Sequence, residues 1–352
     1  MKKLSVILSI LLVTSGFLLT GCSKEEKKAA LNIPEKIPYK ERSFFVGFSS
    51  ASRTPIQATP DTNYQDEALK IVEGYGEVVL IEARTSKPEE IATIKEIVNQ
   101  AKAKQLKVAI GLNFFNEISY GVVKPENKFS NEKRRQNIEN YIAELANLKP
   151  EYMGIGQDVY RYKFIQPADF KLFLELYNKK LYPKIKEISP QTQVAPVIEY
   201  EVLVDQQDFE IFNQFKDTSD FIAFTSYPYR WPHVVSPESM RDDYYTQATK
   251  FTGSKKVAFW SMAYPSGNGV DTLRGDFYSN PTAQKNFLLQ FTKLTKDLDK
   301  EFIIWRFLFD ESSSKQNDLG KYFRNTGLFD EHRNPKEAFE VWKKLSELPI
   351  KK

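Results

Sequence analysis

Residues 152–158, Tyr152-Met153-Gly154-Ile155-Gly156-Gln157-Asp158, form a short apolar run that stops at an amide and a carboxylate. A run of that length between polar residues predicts a strand buried on both faces, as in a parallel sheet. It does not read as the start of a nucleotide site. Gly154-Ile155-Gly156 is too short for a dinucleotide fingerprint, and Gln157-Asp158 stand where a phosphate-binding helix would begin.

The same unit recurs in both directions along the chain. Apolar runs at residues 44–49, 78–83, 107–113, 152–156, 193–198, 221–226, 256–261 and 302–307 predict eight strands. Segments with helical spacing separate them. Ser130 is expected to cap one helix and Pro167 to open another. Ser236-Pro237, Asn280-Pro281 and Asn334-Pro335 each place a cap residue before proline at a first helical position. Strands alternating with helices in this way predict a closed parallel sheet, a (β/α)8 TIM barrel, as a single domain over residues 43–348. An open doubly wound sheet is the alternative, and the lack of a Gly-rich loop after any strand counts against it.

The composition agrees. The 352 residues are 41% hydrophobic and 27% charged, which excludes a disordered or collagen-like chain. With 50 basic and 46 acidic residues, the chain lacks the charge footprint of a nucleic-acid binder. The 26 Phe, 18 Tyr and 4 Trp supply more aromatic surface than a core alone requires.

The N-terminus reads as an export signal. Lys2 and Lys3 precede an apolar stretch that ends in Leu19-Thr20-Gly21-Cys22. That ending resembles the lipobox of bacterial lipoproteins. The resemblance implies cleavage after residue 21, acylation of Cys22 and anchoring in a lipid bilayer, where two or more acyl chains hold stably. Cys22 is the only cysteine, so no disulfide is expected in the folded part. Residues 22–42 are expected to form a flexible tether, because charges and Pro34 and Pro38 disfavour helix. The expected location is the cell envelope, on the extracytoplasmic side.

In such a barrel the active site lies at the C-terminal ends of the strands. The residues expected there are Glu82, Asn113, Gln157, Asp158, Glu199, Tyr227, Trp231, Trp260, Tyr264 and Trp305. Flat aromatic faces beside amides and carboxylates suit sugars, whose C–H faces stack on rings while their hydroxyls need donors and acceptors. The alternative for each ring is packing of the barrel mouth. Asp158 and Glu199 end adjacent strands and are the candidate catalytic pair, with Glu82 and Asp310 as further carboxylates across the mouth. Clustered carboxyls raise one another's pKa, as general acid catalysis requires. Alternatively, they are rim charges paired with Arg84, Arg161, Arg230 and Arg306.

Other chemistries lack their residues. His233 and His332 are the only histidines, and neither stands at metal-ligand spacing from another ligand. There is no Gly-x-Ser-x-Gly elbow. No metal or cofactor is expected, and the chain is expected to act as a monomer on a carbohydrate.

Four stretches carry a family likeness. Tyr152–Asp158 resembles strand 4 of the clan A retaining glycoside hydrolases, which ends in Gly-Asn-Glu. Phe224-Thr225-Ser226-Tyr227-Pro228-Tyr229 is similar to their strand 6. Residues 257–266, Val-Ala-Phe-Trp-Ser-Met-Ala-Tyr-Pro-Ser, are similar to their strand 7, and Gly327–Asp330 with Asn334–Phe339 to their closing hairpin and last helix. The resemblance implies a glycosidase barrel with an acid/base at Asp158 and the nucleophile position at Ser261. Two departures stand out. The acid/base is Asp, one methylene shorter than the family's Glu, and Ser261 cannot form a glycosyl ester. Retaining enzymes need carboxyls about 5–5.5 Å apart and inverting enzymes about 6.5–9.5 Å. Two functions are therefore expected as alternatives: a membrane-anchored glycoside hydrolase, or a catalytically inactive barrel that binds glycan.

Overall fold

The computed structural model describes residues 33–49, 62–84, 90–114, 123–231, 233–271, 275–310 and 323–351. Eight of its ten strands close a parallel barrel. They are β1 (Phe45–Ser49), β2 (Val78–Arg84), β3 (Lys107–Asn113), β4 (Tyr152–Ile155), β5 (Gln193–Glu199), β6 (Ile222–Ser226), β7 (Val257–Met262) and β10 (Lys300–Trp305). Their order around the ring is β1-β10-β7-β6-β5-β4-β3-β2. β8 (Gly269–Asp271) and β9 (Gly275–Phe277) form a separate antiparallel hairpin after β7. The expected TIM barrel is thus the observed fold.

Side-chain alternation makes two apolar layers. Val78, Leu80, Ala109, Tyr152, Val197, Phe221, Trp260, Phe302 and Ile304 fill the ring itself. Their strand neighbours face outward into a larger cluster with the surrounding helices. Both layers must be apolar, which is why the strands read as continuous runs.

The helices depart from the expected uniform repeat. Pro167 opens Pro167–Leu176, and Asn280 caps Pro281–Leu294, its side chain accepting from Ala283 N at 2.9 Å. Asn131, not Ser130, caps Glu132–Asn147. Ser236-Pro237 opens only a single 3-10 turn, Pro237–Ser239. Pro335 pairs with Phe329 as an isolated bridge, so the last helix, Glu337–Ser346, begins two residues later than Pro335. The last barrel strand also stops at Trp305 rather than 307.

The base of the barrel corrects the expected tether. Arg42 is buried, ion-paired to Glu77, and bridges to Ile350. Tyr39 Oη donates to Thr292 O at 3.0 Å. Residues 33–42 therefore pack on the barrel at the end opposite the mouth. A residue such as Arg42 looks like tether charge in sequence, because its partner lies 35 positions away. Residues 1–32, including Cys22, lie outside the described residues. Among the described residues, no helix is long and apolar enough to cross a membrane.

Candidate active site at the barrel mouth

The turn after β4 decides where Asp158 sits. Gly156 N and Gln157 N both donate to Leu112 O, at 2.9 and 3.3 Å, which holds the end of β4 against β3. Gly156 (φ 78°) and Asp158 (φ 65°) then take left-handed backbone before the helix Val159–Ile165. Asp tolerates that region better than most residues, because its short polar side chain can bond locally. The turn delivers the Asp158 carboxyl to the mouth.

Glu199 ends the neighbouring strand, β5, and pairs in register with Thr225 of β6, which in turn pairs with Ser261 of β7. Burial pushes the Asp158 carboxyl up from its ordinary value, with Arg161, Arg306 and Arg230 pulling it back and Glu82 adding to the rise. Burial is also the largest cause for Glu199, which is pushed up to about 8, and the Asp158 charge is the next. The two carboxyls thus follow adjacent strands, near enough for the Asp158 charge to act on Glu199. Glu199 Oε2 is buried without a hydrogen-bond partner, as is Thr225 Oγ1 beside it.

Glu82 takes the structural alternative. Arg306 reaches it with Nη1 3.0 Å from Oε1; Arg306 is buried and Glu82 half-buried. Arg306 Nη1 also donates to Tyr227 Oη at 3.0 Å and to Ser261 Oγ at 3.3 Å, and those two hydroxyls lie 2.7 Å apart. Tyr227 is therefore at the mouth but held in a polar network. Burial pushes its phenol up to about 12, against the pull of Arg306. Glu201, absent from the candidate set, anchors this arrangement from outside the ring. It accepts from Ser226 Oγ at 2.6 Å and from Tyr227 N at 3.1 Å.

Several expected site residues are elsewhere. Asp310 is bound to Lys336 at 2.5 Å and to Gly327 N at 2.8 Å, so it closes the β10 loop rather than facing the pair. Trp305 has 0% exposure and faces outward, with Nε1 donating to Thr326 O at 2.9 Å. Tyr264 stacks on Phe287, centroids 4.9 Å apart, under the helix layer. Trp260 does point into the ring, but it too has 0% exposure. Its indole lies over Gly111 and Gly154; a Cβ at Gly154 would stand 2.5 Å from Trp260 Cζ2. None of these three rings offers a face to a sugar here. Trp231 is half-buried on the rim, Asn113 is half-buried at the end of β3, and Gln157 is buried. Among the described residues, no group of three or more His, Cys, Asp or Glu could hold a metal.

The eight strands close a parallel (β/α)8 barrel, with Glu82 near the end of β2, Glu199 on the last residue of β5 and Asp158 just after β4. Solved structures share that fold. A GH5_18 protein from Bifidobacterium longum subsp. infantis superposes with a TM-score of 0.66 at 12% identity, covering 89% of this chain and 80% of that one. A GH5_18 variant from Streptomyces cattleya, in complex with Manb1-4GlcNAc, gives 0.66 at 11% identity over 86% and 80%. A β-glucuronidase from Bifidobacterium dentium, complexed with coumarin-3-O-glucuronide, gives 0.58 at 12% over 87% of this chain and 46% of that one. The sequence matches no protein-family model and no curated protein.

Proposed function

We propose that this protein is an envelope lipoprotein whose barrel hydrolyses a glycosidic bond in a polysaccharide or glycan. One observation carries the reading: Asp158 and Glu199 follow adjacent strands, β4 and β5, at one end of the barrel, and burial pushes both carboxyls toward the protonated form. A glycosidase needs one carboxyl protonated near neutrality to protonate the leaving oxygen and a second to act as base or nucleophile. The two titrate as a pair, so the acid belongs to the pair rather than to one fixed member. Asp158 and Glu199 act on the bond, while Arg161 and Arg230 oppose the effect of burial and pull both carboxyls back toward the ionised form.

Residues 1–21 serve as the signal peptide and Cys22 as the acylated anchor. The GH5_18 complex with Manb1-4GlcNAc makes β-mannosides the first substrates to try. Release of reducing sugar from β-linked oligosaccharides tests the proposal, with Asp158→Asn and Glu199→Gln as the silenced variants.

The second reading, an inactive barrel that binds glycan, has its own support. Ser261 stands at the family's nucleophile position, and its hydroxyl is engaged with Tyr227 and Arg306. Saccharide binding without turnover in the wild type favours that reading.

A further inference from the structure

The geometry points to a second saccharide-binding site, in a groove outside the mouth between the β8–β9 hairpin, the turn Pro237–Ser239 and the start of the helix Pro281–Leu294. The groove has a volume of about 570 Å³, within the ~300–1,000 Å³ of small-molecule sites. Its lining includes Tyr278, Asn268, Ser279, Asn280, Asn286 and Glu238.

Tyr278 is 77% exposed, the most exposed large apolar side chain among the described residues. It follows β9 directly, so a short hairpin presents its ring. A solvated aromatic face gains most from a partner that is apolar on one side and polar at its edge, which describes a pyranose. The amides around it are half-committed. Asn268 Oδ1 accepts from Ser279 N at 2.9 Å, and Asn280 Oδ1 accepts from Ala283 N. Both side-chain NH2 groups keep their donors for a ligand. Asn286 Nδ2 donates to Glu238 Oε1 at 2.8 Å, which fixes that carboxylate and leaves the Asn286 carbonyl and Glu238 Oε2 as acceptors. The groove therefore offers a ring face, donors and acceptors together.

Charge narrows the class. Among the described lining residues there is no Lys or Arg, while Glu238 and Glu337 are present, the latter ion-paired to Lys285 at 3.3 Å. Phosphorylated, sulfated and uronic sugars are disfavoured, and a neutral saccharide fits. The groove lies at the same end of the barrel as Asp158 and Glu199, because it follows the C-terminal end of β7 and the start of a helix. It therefore holds a further stretch of a chain whose other part lies at the mouth. This rests on the glycan reading of the mouth only for that last point.

The test is titration calorimetry of the full chain with neutral hexasaccharides of β-1,4-linked mannose, glucose and xylose. The expected result is binding of at least one of them, weakened about tenfold by Tyr278→Ala and within about twofold of wild type for Tyr278→Phe, which keeps the ring. Reducing-sugar release from a disaccharide too short to span both sites stays at the wild-type level in Tyr278→Ala. Equal binding by wild type and Tyr278→Ala overturns the proposal, as do equal losses in both variants or no bound hexasaccharide. A groove that binds in a chain whose mouth fails to hydrolyse overturns only the hydrolase reading. Tyr278 is too exposed for either substitution to unfold the chain.

Discussion

The guanidinium of Arg306 meets the carboxylate of Glu82 in the barrel mouth, although 224 positions separate them in the chain. β10 and β2 flank β1 in the closed ring, so the pair spans the seam where the chain's last barrel strand returns to its first. Arg306 is buried and Glu82 half-buried, and the same guanidinium holds Tyr227 and Ser261.

Removing one member of that pair leaves a buried charge without its partner. Glu82→Gln or Arg306→Met is expected to cost about 3–5 kcal/mol, whereas the double variant costs less than the two single losses added together. Urea denaturation of the four proteins checks this. Strict additivity would contradict the pairing.

Two glycines are expected to respond oppositely to alanine. At Gly154 a new Cβ meets Trp260 Cζ2 at 2.5 Å and Val197 Cγ2 at 2.8 Å, all inside the ring. Gly154→Ala should destabilise by about 1–3 kcal/mol through overpacking. Gly74 lies in the helix Thr62–Tyr75 with nothing within 4 Å of the added carbon. Gly74→Ala should leave stability unchanged or raise it by up to about 1 kcal/mol. Melting curves of both variants decide.

The raised carboxyls set a pH dependence of known sign. Glu199 holds its proton more tightly folded than unfolded, so its contribution is complete below its ordinary value near 4.5 and is lost as pH rises toward about 8. Asp158, raised for the same cause, acts in the same direction. Burial lowers Lys300 to about 8, so its opposing effect falls above that pH. Denaturation of wild type and Glu199→Gln between pH 5 and 8 isolates the carboxyl. Wild type should lose stability relative to the variant as pH rises. Parallel curves would contradict the burial of Glu199.

The ring itself was legible in sequence because a strand buried on both faces must be a continuous apolar run, and all eight runs became barrel strands. The placement of the proposed pair was legible for the same reason: Asp158 and Glu199 follow or end runs that stop at the mouth. The rings were harder. Trp305 lies between inward-facing Ile304 and Arg306, so alternation alone assigns it to the outer layer. Trp260 faces in as expected, yet its depth depends on Gly111 of β3 and Gly154 of β4, across the ring, leaving room for the indole. A register shift between β6 and β7 also brings Ser261 level with Thr225, and no local pattern announces it. Arg42 and Asp310 found partners, Glu77 and Lys336, that only the closed ring and its returning C-terminus bring near.

The most direct measurement of the central claim is reducing-sugar release from β-linked oligosaccharides by wild type and Asp158→Asn. Asn accepts left-handed backbone as readily as Asp, so the variant keeps the turn and loses only the ionisable oxygen. The account predicts turnover by wild type and a loss of roughly 10²–10⁴-fold in the variant, as expected when a general acid is removed. Equal turnover by the two proteins would contradict it.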